Sequence, residues 1–248
     1  LAIEHTRGGK AVQPPMQKPL KAVAFDLDST LCRYALTVEE VIDQSLSRAG
    51  IADEHLGTPS DLADDYNRAW WTAEEQLRVP TGELRRRAWI QILRGRGIED
   101  DELATRISDA YSEIRSETGF RLYPGVSSLL ADLRKRYRLG ILTNGPSDMQ
   151  WEKLRTLDLP SAVDAIVVAG DLGVFKPDPQ PFRQLLGDLG STPADSLFVG
   201  DSFEHDMVGA RGVSMQTVWV HSNGGVESVD FTPDHIIEHV GCLRELLL

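Results

Sequence analysis

The sequence predicts an α/β protein: a doubly wound parallel sheet interrupted, after its first strand, by an inserted all-helical unit. Three observations carry this expectation. Short apolar runs recur along the chain, each separated from the next by a stretch with helical period. Several of these runs end in carboxylate, threonine or glycine residues, as strands do when their C-terminal tips carry function. Between Thr37 and about Thr118 only helical periods remain.

Residues 1–17 open on Leu1 without a methionine and have no helix or strand period, so they read as a flexible arm or a remnant foreign to the folded chain. Residues 21–26 (KAVAFD) form the first buried strand. Helices are expected near 37–49, 60–78, 81–95 and 99–117, followed by Tyr123-Pro124-Gly125 as the return to the core, where Pro124 and Gly125 open the next helix. Further strands fall at 138–143, 165–169, 196–200 and 216–220. The division is a Rossmann-like core of 18–34 and 120–248, with a helical cap of 35–119 whose hinges lie near 33–36 and 118–123.

Hydrophobic residues make up 41% and charged residues 26% of the 248, an ordinary balance for a globular chain, and no apolar run approaches membrane-spanning length. A net charge of −12 disfavours nucleic acid and anionic membranes as partners and favours work on small molecules. No leader for export is legible. Cys32 and Cys242 lack metal-site or redox spacing and read as buried thiols in a reducing cytoplasm. Six lysines stand against twenty arginines.

Ligands of an open parallel sheet bind at the carboxyl ends of its strands. The first strand ends in Asp26-Leu27-Asp28-Ser29-Thr30, the second in Thr143-Asn144-Gly145, and the fourth in Gly200-Asp201-Ser202-Phe203-Glu204-His205-Asp206. After the third comes Gly173-Val174-Phe175-Lys176-Pro177-Asp178-Pro179. Asp26 and Asp28 can face one ligand if the chain curls after the strand, and several carboxylates facing a phosphate dianion would repel it unless cations intervene.

These four segments, in this order, resemble the signature motifs of the haloacid dehalogenase-like superfamily, and the match runs from Lys21 to about Gly225. The resemblance implies a Mg²⁺-dependent phosphomonoester hydrolase acting on a small phosphorylated metabolite, such as a sugar phosphate or nucleoside monophosphate, through an aspartyl-phosphate. It makes Asp26 the nucleophile and Asp28 the acid–base, protonated when substrate binds through crowding by like charges. Mg²⁺ would sit on the side chains of Asp26 and Asp201 and the backbone carbonyl of Asp28, with Asp206 one layer further out or water-linked. Lys176 would neutralise phosphate and steady Asp26, while Thr143 and the amide of Asn144 bind the transferring phosphoryl oxygens. The helical insert resembles the superfamily's first class of cap, which closes over the site and selects substrate. Dehalogenases of the superfamily lack an acid two residues after the nucleophile and need no metal, so Asp28 favours phosphate chemistry. A phosphomutase and a non-catalytic binding protein are the other readings, and a monomer or homodimer is expected.

Other features read as structural. His235-Ile236-Ile237-Glu238-His239 has the spacing of a zinc-protease helix, but Pro233, Asp234 and Gly241 favour a final strand. His205 reads as a surface residue and His221 as a loop residue. Arg85, Arg86 and Arg87 diverge by about 100° per residue on a helix and read as a solvated face. Trp70, Trp71 and Trp89 read as core anchors of the insert, with one of them able to line the substrate pocket.

Overall fold

A computed structural model of the chain describes residues 19–51, 56–72, 79–221 and 231–248; the arm at 1–17 lies outside them. Strand β1 (Ala22–Phe25) is buried along its whole length, as a strand covered on both faces must be. A two-stranded antiparallel ribbon follows, β2 (Cys32–Tyr34) pairing with β3 (Phe120–Leu122) and setting Cys32 opposite Leu122. The ribbon brackets four helices, α1 (Val38–Arg48), α2 (Pro59–Thr72), α3 (Thr81–Gly95) and α4 (Asp101–Thr118). Beyond it run α5 (Val126–Leu133), β4 (Arg138–Thr143), α6 (Ser147–Thr156), α7 (Leu159–Ala162), β5 (Ala165–Val168), α8 (Ala169–Leu172) and α9 (Pro179–Leu189). Then come β6 (Ser196–Gly200), a π-helical turn at Phe203–Met207, α10 (Val208–Gly212), β7 (Gln216–Val220), β8 (His235–Ile237) and α11 (Leu243–Leu247).

The main sheet has the order β5-β4-β1-β6-β7-β8 and every pairing is parallel. The chain builds β4 and β5 on one side of β1 and then crosses to β6 on the other, so the strand order reverses around β1 and opens a crevice at its C-terminal end. Alternation along β1 divides the core. Ala22 and Ala24 face a cluster with Leu185 of α9 and Ala210 of α10, while Val23 and Phe25 face one with Leu129 of α5 and Leu243 of α11. The four helices of the insert bury a separate cluster around Trp89, Tyr66, Tyr111 and Ile107.

Local chemistry explains the ends of these elements. Thr37 and Glu40 form a reciprocal capping box on α1. Asp178 caps α9 through the Gln180 amide, with Pro179 in its first turn and Gly190 in the left-handed conformation at its end.

Two expectations change, and part of a third lies outside the described residues. The stretches read as plain hinges carry the β2–β3 ribbon, whose three-residue strands are too short to declare a period. The helix expected over 60–78 is described as far as Thr72, and 73–78 lie outside the described residues. Cys32 is buried, but Cys242 is only partly so, with its sulfur 3.6 Å from His239 Nε2. The final strand is as expected: His235–Ile237 pairs with β7, so the zinc-protease spacing does not lie on a helix. No described helix is long and apolar enough to cross a membrane.

Candidate active site

The curl after β1 is built from backbone hydrogen bonds. The amides of Leu31 and Cys32 both donate to the Leu27 carbonyl, and Ser29 takes a left-handed φ of 62°. That conformation costs an L-residue roughly 1–2 kcal/mol, which the turn bears in order to bring the chain back on itself. Asp26, Asp28, Thr143, Asn144, Lys176 and Asp201 line one cavity of about 390 Å³, together with Asp206. The structure thus brings every sequence-predicted site residue to the tips of β1, β4 and β6 and to the loop before α9.

Lys176 is almost fully buried at the centre. Its ammonium lies 2.6 Å from Asp26 Oδ1 and 2.7 Å from Asp206 Oδ1, and it also donates to the Leu142 carbonyl at 3.1 Å. Burial pulls this ammonium toward neutrality, but Asp206 and Asp26 more than offset that and hold its pKa above the ordinary lysine value. Burial drives the Asp26 carboxyl well above the usual carboxylate range, opposed by Lys176 and reinforced by Asp206 and Asp201. Burial and then Asp206 push Asp201 up to about 6.

Oxygens of Asp26, Asp201 and Asp206 all lie within 4.8 Å of one another. Lys176 brings one positive charge to three carboxylates, so the cluster calls for more, and hard oxygen donors at this spacing suit a small divalent cation such as Mg²⁺. Around them, Thr30 Oγ1 donates to Asp201 Oδ1 at 3.1 Å and Trp219 Nε1 to the Asp201 carbonyl at 2.8 Å. The Ser202 amide donates to Asp206 Oδ2 at 3.0 Å. Gly200 makes this packing possible, since a Cβ there would collide with the Asp206 carboxylate.

Asp28 departs from expectation. Both its oxygens lie 2.8 Å from the ammonium of Lys153, and Gln150 Nε2 donates to Oδ2 at 3.0 Å. Burial lowers the affinity of Lys153 for its proton, and the Asp28 charge more than restores it. The acids that share the cavity with Asp28 are thus joined by a cation that the motif did not announce. Lys153 and Gln150 are adjacent on one face of α6 and were missed by motif reasoning. A faint signal existed, because lysine is scarce in this chain and both Lys153 and Lys176 are buried at the site.

Asn144 works through two groups. Its side chain clamps the backbone of Lys176, accepting from the Lys176 amide at 2.9 Å and donating to its carbonyl at 3.1 Å. Thr143 Oγ1 donates to the Asn144 carbonyl and accepts from Gln150. His205, expected on the surface, is half-buried on the wall of the cavity with Nδ1 3.0 Å from Ser202 Oγ. His221 stacks on Trp219 with ring centroids 4.1 Å apart.

A second cavity, about 340 Å³, lies between the helical insert and the sheet edge. Here the arginine triplet divides. Arg86 and Arg87 pair with Glu83 on the solvated side, whereas Arg85 turns into the cleft and donates to Ser112 Oγ at 2.9 Å. Trp89 is fully buried, Trp70 lines the cleft, and the Trp71 side chain lies outside the described residues.

An acidic strand-tip site beneath a helical insertion marks a capped α/β hydrolase. The model of the family described as haloacid dehalogenase-like hydrolases matches residues 20–213, and the chain belongs to that family. It is 40% identical over 221 residues to N-acylneuraminate-9-phosphatase of Rattus norvegicus, covering 84% of this chain and 85% of that protein. Against phosphoserine phosphatase of Thermus thermophilus the identity is 34% over 175 residues, covering 70% and 68% respectively. The crystal structure of the HAD-hydrolase YfnB from Bacillus subtilis, bound to magnesium, has the same fold. It gives a TM-score of 0.69 at 23% identity, over 93% of this chain and 99% of that one.

Proposed function

We propose that this chain is a Mg²⁺-dependent phosphatase that releases phosphate from a small phosphorylated metabolite through an aspartyl-phosphate on Asp26. The observation that carries this reading is the convergence of Asp26, Asp201 and Asp206 at the sheet's switch point, with one buried lysine bonded to the first and last of them. Two phosphatases among its relatives, each matched over about two thirds or more of its length, support the same chemistry. In this reading 18–34 and 120–248 form the catalytic core, 35–119 the cap, and the free thiols suit a cytoplasmic location.

Asp26 is the nucleophile. Lys176 holds its Oδ1, and among the described residues nothing hydrogen-bonds to Oδ2, which is left for the incoming ligand. Asp26 and Asp201, with the Asp28 carbonyl, would hold Mg²⁺; Asp206 fixes Lys176 and braces the Ser202 turn from behind. The ion supplies charge neutralisation at the phosphoryl group when bound. Thr143 and the Asn144 backbone amide receive phosphoryl oxygens, while the Asn144 side chain keeps Lys176 in register. Asp28 serves as acid and then base, turning from Lys153 to the leaving oxygen as the substrate seats.

The test is release of inorganic phosphate from a panel of phosphorylated metabolites. EDTA should stop the release and added Mg²⁺ restore it; turnover that persists in EDTA would contradict the metal reading. Gly200→Ala should reduce turnover by about 10²-fold, because pushing Asp206 away displaces Lys176 and with it Asp26. Circular dichroism would check that the fold survives, and unchanged turnover would refute the packing argument.

A further inference from the structure

Among the described residues, the cap cleft holds more positive charge than the carboxylates around it neutralise. Arg33, Arg85, Arg115 and Lys153 all line it, and Lys153 is balanced by Asp28. The three arginines form no ion pair with any carboxylate among the described residues. Arg115 is buried, yet its partners are the neutral Tyr111 hydroxyl and the Leu36 carbonyl. Arg85 donates to Ser112 Oγ through Nη1, while its buried Nε has no hydrogen-bond partner. In a chain of net charge −12, three arginines that line one cleft and meet no carboxylate among the described residues are a site prepared for an anion.

Geometry ties this cleft to the chemistry. It shares Asp28, Ser29 and Asn144 with the catalytic cavity, so the two are contiguous. From the cap inward, cations alternate with rings. Arg85 and Arg115 lie 5.4 and 5.2 Å from the Tyr111 ring centre; Arg115 and Lys153 lie 4.2 and 4.6 Å from that of Tyr34. Aromatic walls lower the local dielectric and strengthen the attraction for a ligand charge. The transferring phosphate belongs beside Asp26 and Lys176, so an anion in the cleft is a different group of the same molecule. A larger cavity of about 640 Å³, beside Thr30 and Asp201, has Glu238 in its described lining and no lysine or arginine, and is unsuited to that role.

We infer that the substrate is a phosphomonoester whose alcohol portion carries a second anionic group, a carboxylate foremost, received by Arg85, Arg115 and Arg33 of the cap cleft. This deepens the phosphatase reading and rests on it. The decisive comparison uses pairs that differ in the second charge: phosphoserine against phosphoethanolamine, phosphogluconate against sorbitol phosphate, and fructose bisphosphate against fructose monophosphate. The acidic member of at least one carboxylate pair should be preferred by about 10-fold or more in kcat/KM, as expected for a charge-assisted hydrogen bond. Arg85→Gln and Arg33→Gln should each shrink that preference, mainly through KM. A preference confined to the bisphosphate would keep the second anion and make it a phosphate. Equal rates within all pairs, or a preference untouched in both folded variants, would overturn the inference. Calorimetric binding of the same pairs reads the preference without turnover. Absence of phosphate release therefore counts against the phosphatase reading alone, and equal affinities count against this one.

Discussion

Asp26→Asn is expected to abolish phosphate release while leaving the fold intact. The amide keeps the shape of the side chain and can still lie against Lys176, but it cannot take up a phosphoryl group. Loss of covalent chemistry should cost on the order of 10⁴-fold or more in turnover, about 5 kcal/mol of barrier. Lys176 retains Asp206 as its partner in the variant, so the melting temperature should change little. A variant with turnover near that of the parent would remove Asp26 from the nucleophile's role.

Lys176→Met should have the opposite signature, damaging stability as well as activity. Removing the ammonium leaves the Asp26 and Asp206 carboxyls buried without their shared cation. Breaking such a pair costs about 3–5 kcal/mol because the remaining charge has no compensation. Thermal or urea unfolding measures that loss. Mg²⁺ held by Asp26 and Asp201 should recover part of it by supplying positive charge beside the buried pair, and full activity in the variant would contradict the role given to Lys176.

Much of the architecture was legible because the physics that forms it is local. A parallel strand buried on both faces must be a short apolar run, and KAVAF, RLGILT and SLFVG are such runs. Their tips carry Asp26, Thr143 and Asp201, and topology then brings those tips to one edge. The ribbon of β2 and β3 left no trace because three residues cannot display a period. Lys153 escaped for a different reason: its role depends on α6 packing across the tip of β1, a contact 125 residues distant in sequence. The 100° stagger correctly separated the three arginines, but it does not say which of them faces the core. Arg85 does, and that direction is set by how α3 packs on α4, where Ser112 meets its guanidinium.

Lys153 also changes the setting in which Asp28 works. The Lys153 ammonium lies 2.8 Å from both carboxylate oxygens of Asp28, so a cation stands where the motif alone suggested only acids. In the proposed mechanism Asp28 would exchange Lys153 for the leaving-group oxygen, which would couple that step to occupation of the neighbouring cap cleft.

Chemical trapping tests the account at its centre. Acid quench during turnover with Mg²⁺ and an accepted phosphomonoester, followed by borohydride reduction, converts an acyl phosphate to an alcohol that mass spectrometry locates in the chain. The account predicts homoserine at position 26 and nowhere else. Phosphate release with Asp26 unmodified, or reduction at another carboxylate, would contradict it.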